Sequence, residues 1–309
     1  MSCLHPVLLI AFNRPLETAR VIERLRLVKP LKIYFAVDGP REKHIGDAEL
    51  IKLTQNLVKQ FDWDCEVHTF FQKENLGCGL GVSTAISWAL NNEETIIVLE
   101  DDILPDTSFF PFCEELLERY KDDNRVFAIS GFNNVPDEFL VPTDSYRFTS
   151  NIHVWGWAIW KQSWEKYDFD LSEWRNELSF SQLRRQLGGS WLATILWREL
   201  FDAVANGKID TWDYQLFFAS FKSKSLVATS NNNLIENLGF GPSATHTKEI
   251  PKYLRPSSNI EFPLIHPKLK LDHSANNWSQ KYSSGSLVAV SRIVLGRYIR
   301  ILIGTRKLG

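Results

Sequence analysis

The chain has 309 residues, of which 44% are hydrophobic and 23% charged, and its formal net charge is −2. This is the balance of an ordinary soluble globular protein with one large domain or two small ones, and it carries no signal for nucleic-acid binding. The four cysteines lack metal-ligand spacing such as C-x-x-C, so we expect free thiols in a reducing compartment.

Short apolar runs alternate with helical patterns over the first hundred residues. The apolar runs predict strands over 6–12, 31–37, 65–71 and 95–99, and the periodic segments between them predict helices over 16–28, 48–61 and 80–90. Alternation of this kind builds a parallel sheet with right-handed crossovers. The run at 6–12 is too short for a signal sequence or a membrane span, so we interpret it as the first strand.

Polar residues or glycines follow each predicted strand: Arg14 after the first, Asp38 after the second, Asn75 with glycines 77, 79 and 81 after the third, and Glu100-Asp101-Asp102 after the fourth. Parallel strands would bring these four loops to one rim of the sheet. Arginine binds phosphate oxygens, a carboxylate accepts from base or ribose, and glycine allows close backbone approach. The glycines match neither the P-loop nor the dinucleotide-binding pattern, and a flexible helix start is their other interpretation.

The triplet Glu100-Asp101-Asp102 directly follows the fourth apolar run. Three adjacent carboxylates repel one another unless a cation neutralises them. Mn²⁺ or Mg²⁺ prefers oxygen ligands and leaves coordination positions for substrate phosphates, so the triplet is a candidate metal and diphosphate site. The alternative is an acidic cap on the helix predicted from residue 109 to 121.

The second half of the chain is richer in tryptophan. Most of these rings are expected in the core, but Trp155 and Trp157, which flank Gly156, are candidates for stacking on a sugar. Ser130 to Asn134 ends another strand, where its hydroxyl and amide groups either bind sugar hydroxyls or form a turn. We predict a nucleotide-sugar half over 1–125, an acceptor half of the same domain over 126–266, and a tail over 267–309.

Several motifs resemble the N-acetylglucosaminyltransferase I group of GT-A-fold glycosyltransferases and related bacterial sugar transferases. They cover about the first four-fifths of the chain in order and spacing. The matching segments are Asn13-Arg14, Val37-Asp38-Gly39, 98–102, 129–134, 156–160, Trp212-Asp213, Phe240-Gly241 and Thr245-His246. The resemblance implies an α/β, Rossmann-like GT-A fold with a mostly parallel sheet flanked by helices, a tryptophan-rich acceptor half and a C-terminal amphipathic helix.

The resemblance also implies roles for single residues. Asp102 matches the direct ligand of Mn²⁺, Arg14 and Asp38 match positions that hold the nucleotide, and Glu100 and Asp101 match acids that orient ribose and sugar. His246 lies in a loop that the family folds over the diphosphate, where it is either a second metal ligand or a histidine without a ligand role. Asn75 and Trp157 complete the candidates for binding the donor.

Asp213 resembles the catalytic base, although its spacing from Asp210 differs from the family's adjacent acids, and Asp210 is the alternative base. Glycosyl transfer needs a base for the acceptor proton and an electrophile for the departing diphosphate. The aromatic residues around Asp213 favour a raised pKa, which suits a base that works near neutral pH. The other interpretation of Asp213 is a solvated acid at a helix start.

These features together predict a metal-dependent, inverting glycosyltransferase that uses a nucleotide-diphosphate sugar, most simply UDP-linked, and a glycan or glycolipid acceptor. The alternatives are a sugar-phosphate nucleotidyltransferase, which would carry a glycine-rich basic loop after the first strand, and a glycan-binding module that holds Ca²⁺. Animal members of the family have an amino-terminal membrane span, and its absence here predicts a bacterial-type cytoplasmic enzyme.

The C-terminal segment 287–303 is apolar with three interspersed arginines. This pattern favours a helix lying in the interface of an anionic membrane, which would place the enzyme peripherally on the inner face. The alternative is a helix packed on the catalytic domain or on a partner protein.

Overall fold

A mixed sheet of eight strands organises the chain. The computed structural model describes residues 3–240 and 254–283. Its strands are β1 (Val7–Ala11), β2 (Lys32–Val37), β3 (Glu66–Phe71), β4 (Thr95–Glu100), β5 (Ile103–Pro105), β6 (Val126–Ser130), β7 (Tyr146–Thr149), β8 (Trp157–Trp160), β9 (Leu226–Ser230) and β10 (Ile235–Asn237). The large sheet has the order β3-β2-β1-β4-β8-β6-β9-β7, and β5 pairs with β10 in a separate antiparallel ribbon.

The first four strands of the sheet are parallel. Strand β8 then runs antiparallel between β4 and β6, β9 is parallel to β6, and β7 is antiparallel at the edge. This is the mostly parallel α/β arrangement of the GT-A type that the sequence predicts. The described helices are α1 (Pro15–Val28), α2 (Asp47–Asn56), α3 (Gly77–Leu90), α4 (Phe109–Arg119), α5 (Lys161–Trp164), α6 (Trp174–Glu177), α7 (Phe180–Gln186), α8 (Trp191–Ala205), α9 (Asp213–Ser223) and α10 (His273–Ser283), with 3₁₀ turns at Leu57–Gln60 and Asp137–Phe139.

Alternate residues of β1 pack into two different cores. Val7 and Leu9 contact the apolar sides of α1 and α4, whereas Leu8 and Ile10 face the other side of the sheet, where α3 packs. A strand buried on both faces needs apolar residues at every position, which explains the continuous run in the sequence. The four predicted strands are confirmed to within one residue at each end. The predicted helix 48–61 differs, because α2 ends at Asn56 and the chain continues as a 3₁₀ turn.

Helices α6 to α9 build a smaller apolar cluster beside the sheet, around Trp174, Leu183, Trp197, Phe201 and Phe218. Helix α9 also contacts the sheet through Leu216, so the cluster is joined to the main core. Within the two described ranges, no helix is both long and apolar enough to cross a bilayer. The predicted helix at 287–303 falls outside those ranges, and the boundaries at residues 125 and 266 stay predictions.

Candidate functional site

Loops from the carboxyl ends of the four parallel strands line one cavity of about 370 Å³. Its floor is apolar, with Ile10, Ala36, Phe70, Val82 and Ala85. Its polar edge comes from all four loops and one further acid: Arg14 after β1, Asp38 and Arg41 after β2, Gln72, Asn75 and Gly77 after β3, Glu100, Asp101 and Asp102 after β4, and Asp210. The prediction that these loops share one rim is therefore confirmed.

Arg14 binds the acidic triplet across this rim. Its Nη1 lies 2.6 Å from Oδ2 of Asp102 and 3.3 Å from Oδ1 of Asp101, and the backbone N–H of Phe12 donates to Asp101 at 3.0 Å. Helix α4 begins only at Phe109, after Asp106 has accepted hydrogen bonds from Ser108. The interpretation of the triplet as a cap for that helix is therefore wrong, because its carboxylates face the cavity instead.

The triplet lies in surroundings that disfavour ionised carboxylates. Burial, followed by repulsion from Asp102, Asp101 and Asp213, raises the pKa of Glu100 to about 8. Burial also raises the pKa of Asp101, although Arg14 opposes this shift. Asp213 is close enough to repel the Glu100 carboxylate, although it is not among the residues that line the cavity. The rim therefore concentrates more negative charge than its surroundings can stabilise.

Asp38 ties two rim loops together. Its carboxylate accepts hydrogen bonds from the backbone N–H groups of Gly39, Leu76 and Gly77 at 2.8, 3.0 and 3.2 Å, and from the side-chain amide of Asn75 at 2.9 Å. Burial nevertheless raises the pKa of Asp38, because the hydrogen bonds only partly offset its desolvation. Asp38 and Asn75 thus position the loops after β2 and β3 against each other at the edge of the cavity.

The glycines at the start of α3 make room for acidic side chains. The backbone N–H of Gly79 donates to Oδ1 of Asp210 at 2.9 Å, and a Cβ at Gly79 would lie 2.5 Å from that oxygen. A Cβ at Gly81 would lie 3.2 Å from Oδ2 of Asp38. Asp210 therefore caps α3, which has no side-chain cap of its own. The close approach that the glycines were predicted to allow is made here by protein carboxylates.

Asp213 is the first residue of α9. Its Oδ1 accepts hydrogen bonds from the Thr211 hydroxyl and from the backbone N–H of Tyr214, the latter at 2.9 Å. The preceding Trp212 is buried and stacks on Trp157 with ring centroids 5.7 Å apart. The structure therefore gives Asp210 and Asp213 different surroundings: Asp210 lines the cavity and caps α3, whereas Asp213 is at a helix start near Glu100 and is not part of the cavity lining.

Trp157 is 0% exposed and lies within β8 in the interior of the sheet. Its predicted contact with a donor or acceptor sugar is wrong for this structure, because a ring without exposed surface cannot stack on a ligand. Trp155 is half-buried and contacts Phe132 and Phe240, with ring centroids 4.6 and 5.7 Å apart. It remains the more accessible of the two rings.

Ser130 and Asn133 are also fully buried. The Ser130 hydroxyl donates to the carbonyl of His153 at 2.6 Å, and the Asn133 amide donates to the carbonyl of Asn231 at 2.6 Å. Asn133 also accepts from the buried Arg147 guanidinium at 2.8 Å. Of the two interpretations of this segment, the turn after a core strand is the one that the structure supports.

Besides Gln72, Arg41 is a rim residue that the sequence analysis did not single out. Asp47 holds its guanidinium through Nε at 2.7 Å and Nη2 at 3.0 Å, and Arg41 lies over the Phe12 ring at 5.2 Å from the centroid. This arrangement lowers the pKa of Asp47 to about 2, chiefly through the hydrogen bond from Arg41. The sequence does indicate Arg41 as a rim residue, because it follows Asp38 by three residues in a predicted rim loop.

A metal ion at this site would have few protein ligands among the described residues. Among residues 3–240 and 254–283, no group of three or more His, Cys, Asp or Glu side chains lies close enough to hold a metal. Asp102 does fit as a single carboxylate ligand, because it faces the cavity and because Mn²⁺ and Mg²⁺ commonly take one or two carboxylates plus phosphate and water oxygens. His246 falls outside the described residues.

The topology and the cavity together define an α/β fold, consistent with the GT-A type, with an acidic cleft at the carboxyl edge of its parallel strands. No protein-family profile and no curated protein sequence matches the chain. Among solved structures, HddC from Yersinia pseudotuberculosis matches at 14% identity, covering 53% of this chain and 80% of HddC, with a TM-score of 0.33. S. aureus TarS 1-349 matches at 8% identity, covering 76% of this chain and 61% of that one, with a TM-score of 0.41. Likeness at this level carries no conclusion about activity.

Proposed function

We propose that the protein is a metal-dependent, inverting glycosyltransferase that takes a nucleotide-diphosphate sugar, UDP-linked in the simplest case, and glycosylates a hydroxyl of a glycan or glycolipid. One observation carries this proposal. Four loops at the carboxyl ends of β1 to β4 line a single cavity with an apolar floor and a charged edge. Open α/β sheets bind ligands at this edge, and a nucleotide needs both kinds of surface.

The size and lining of the cavity suit the nucleotide part of the donor. Its volume of about 370 Å³ falls in the usual range for small-molecule sites, roughly 300–1,000 Å³. A flat base fits between the apolar residues that extend from Ile10 to Phe70, and Asn75 and Gln72 offer amide groups at the edge. Arg14 and Arg41 offer guanidinium groups to the diphosphate.

The charges on the cavity wall support a role for a cation. Five acids line the cavity, and only two arginines oppose them: the acids are Asp38, Glu100, Asp101, Asp102 and Asp210, and the arginines are Arg14 and Arg41. Asp47 already pairs with Arg41, so a diphosphate entering alone would meet net negative charge. Asp102 would hold Mn²⁺ or Mg²⁺, and the ion would neutralise charge on the departing diphosphate. Within this proposal His246 is the second ligand.

Transfer also requires removal of the proton from the acceptor hydroxyl. We assign this step to Asp213, which lies near Glu100 but outside the lining of the donor cavity. An inverting reaction needs its base on the face of the sugar opposite the leaving group, so a carboxylate outside the lining of the diphosphate cavity is compatible with this role. Asp210, which caps α3 at the cavity wall, is the alternative base. The new bond joins the acceptor oxygen to the anomeric carbon as the bond to the diphosphate breaks.

A donor screen tests this proposal. UDP, GDP and CMP sugars, and separately the nucleoside triphosphates UTP, GTP and CTP, are added to the protein with Mn²⁺ or with EDTA, and the midpoint of thermal unfolding is recorded. A ligand at about one hundred times its Kd stabilises the native state by about 2.7 kcal/mol, which corresponds to a shift of several degrees. We expect one nucleotide class to protect, and only with the metal. Protection by a nucleoside triphosphate and not by any nucleotide sugar would favour a nucleotidyltransferase instead.

A further inference from the structure

Helices α7 and α8 present apolar side chains to solvent. On α8, Trp191 is 59% exposed, and Leu192 and Ile195 are 37% exposed each. Positions 191 and 195 share a helix face, on which Arg198 follows one turn later. We call these residues, together with Phe180 and Arg184 of α7, the α7–α8 patch.

Arginines and aromatic rings are in direct contact within the patch. The rings of Phe180 and Trp191 lie 4.9 Å apart, the Arg184 guanidinium carbon is 4.7 Å from the Trp191 centroid, and that of Arg198 is 5.7 Å from the Phe180 centroid. These cation–π contacts hold positive charge on top of apolar surface. The patch is therefore both apolar and basic.

The acids near the patch are largely matched by other bases. Asp202 pairs with Arg175, and Glu177 pairs with Lys222 at 2.6 Å. Glu199 lies beside Arg198 and partly offsets its charge. Arg184 and the exposed Arg185 add two further positive charges at the end of α7. The patch thus retains a positive character toward solvent.

A second basic and apolar sequence follows α10, a helix that contacts the turn between α7 and α8. Gly188, between α7 and α8, lies against α10, because a Cβ at this position would collide with the Asn277 side chain. From Asn277, helix α10 continues six residues to Ser283, a rise of about 9 Å. The sequence of residues 284–309 contains five Arg or Lys residues and no Asp or Glu. The sequence that follows α10 therefore has the same sign of charge as the patch.

We propose that the α7–α8 patch binds an anionic lipid surface. Tryptophan is favoured at the membrane–water interface, Leu192 and Ile195 supply apolar area, and the arginines complement lipid phosphates. Two basic segments repel each other, so residues 284–309 are a poor cover for the patch, whereas an anionic surface would complement both. A surface that only stacks on neutral sugar has no need of the arginines or of the exposed aliphatic residues. This proposal is independent of the nucleotide-sugar activity.

Vesicle binding by the full-length protein tests the patch. Co-sedimentation is measured with phosphatidylcholine vesicles that contain or lack phosphatidylglycerol. We expect the wild type to prefer the anionic vesicles and Arg184→Gln/Trp191→Ala to bind them at least about five-fold more weakly, the factor that corresponds to about 1 kcal/mol for one interfacial arginine. The control Arg20→Gln/Leu27→Ala removes an arginine and an exposed apolar side chain from α1 and should bind like the wild type.

A second measurement does not depend on a loss of binding. Trp191→Phe keeps an apolar ring, so its vesicle binding should persist, but quenching of tryptophan fluorescence by brominated anionic lipids should fall relative to the wild type. Unchanged quenching overturns the proposal, as does equal binding by the wild type and the double variant. If the double variant keeps vesicle binding but loses affinity for a soluble glycan, the patch is a glycan surface and the lipid proposal fails.

Discussion

Replacing Asp47 with asparagine should destabilise the protein at neutral pH and loosen the rim. Asp47 is buried at the start of α2 and accepts hydrogen bonds from Arg41 and from the side chain of Asn13, the latter at 2.9 Å. Its pKa falls from the usual 3.8 to about 2. A difference of this size corresponds to roughly 2 kcal/mol of stability. The Arg41 side chain is 36% exposed, so screening reduces the expected loss to about 1–2 kcal/mol.

The pH dependence of this contribution has a definite sign. Because the pKa of Asp47 is lower in the folded state, the stabilisation is complete above the unfolded pKa of about 4 and is lost as pH falls toward the folded pKa of about 2. The difference between the wild type and Asp47→Asn should therefore be constant near neutral pH and shrink to about half by roughly pH 3. Donor affinity should also fall in the variant, because Asp47 no longer holds Arg41 over Phe12.

Urea unfolding followed by circular dichroism, at a series of pH values, measures this difference. Asp62→Asn is the control, because Asp62 pairs with Arg26 at 2.9 Å in an exposed site and its loss should change stability much less. Equal effects of the two substitutions, or a difference for Asp47→Asn that grows as pH falls, would refute the assigned role of the Asp47–Arg41 pair.

Further substitutions test the catalytic assignment and the start of α3. Asp213→Asn should lower turnover by about 10²–10⁴-fold with donor affinity nearly unchanged, and Asp210→Asn should lower turnover less. Steady-state kinetics measures turnover and calorimetry measures donor affinity. If Asp210 is the base, the two variants will rank in the reverse order. Gly79→Ala should lower the free energy of unfolding by about 1–3 kcal/mol, measured by thermal or urea unfolding, because its Cβ would lie 2.5 Å from Asp210 and 2.8 Å from the carbonyl of Thr211. Gly81→Ala should lower it less, because the nearest atom to its Cβ is 3.2 Å away. Equal costs at the two glycines would contradict the close approach of Asp210.

The parallel half of the sheet could be predicted from the sequence because each of its strands is defined locally. Strand β1 is buried on both faces and is therefore apolar throughout, and polar loops mark where β1, β2 and β4 end. The rim then follows from parallel topology alone. Its chemistry was recognisable because Arg14, Asp38 and the acidic triplet lie at strand ends.

Features that depend on distant pairing could not be predicted in this way. Strand β8 inserts antiparallel between β4 and β6, and only this insertion shows that Trp157 is a core residue. The capping of α3 by Asp210 joins residues 131 positions apart, which no local pattern encodes. The position of Arg41 in a rim loop could have been recognised from the sequence. Its role could not, because that role depends on pairing with Asp47, and the helical pattern of α2 does not identify Asp47 as a partner.

The most direct test of the proposed metal and diphosphate site compares the wild type with Asp102→Asn. Calorimetry measures how each protein binds the nucleotide sugar selected by the donor screen, with and without Mn²⁺. The amide keeps the shape of the side chain but removes the charge that would face the metal and the diphosphate. We expect the wild type to bind only with Mn²⁺ and the folded variant to lose this binding. Unchanged affinity of Asp102→Asn in the presence of Mn²⁺ would contradict the proposal that the acidic triplet forms a metal and diphosphate site.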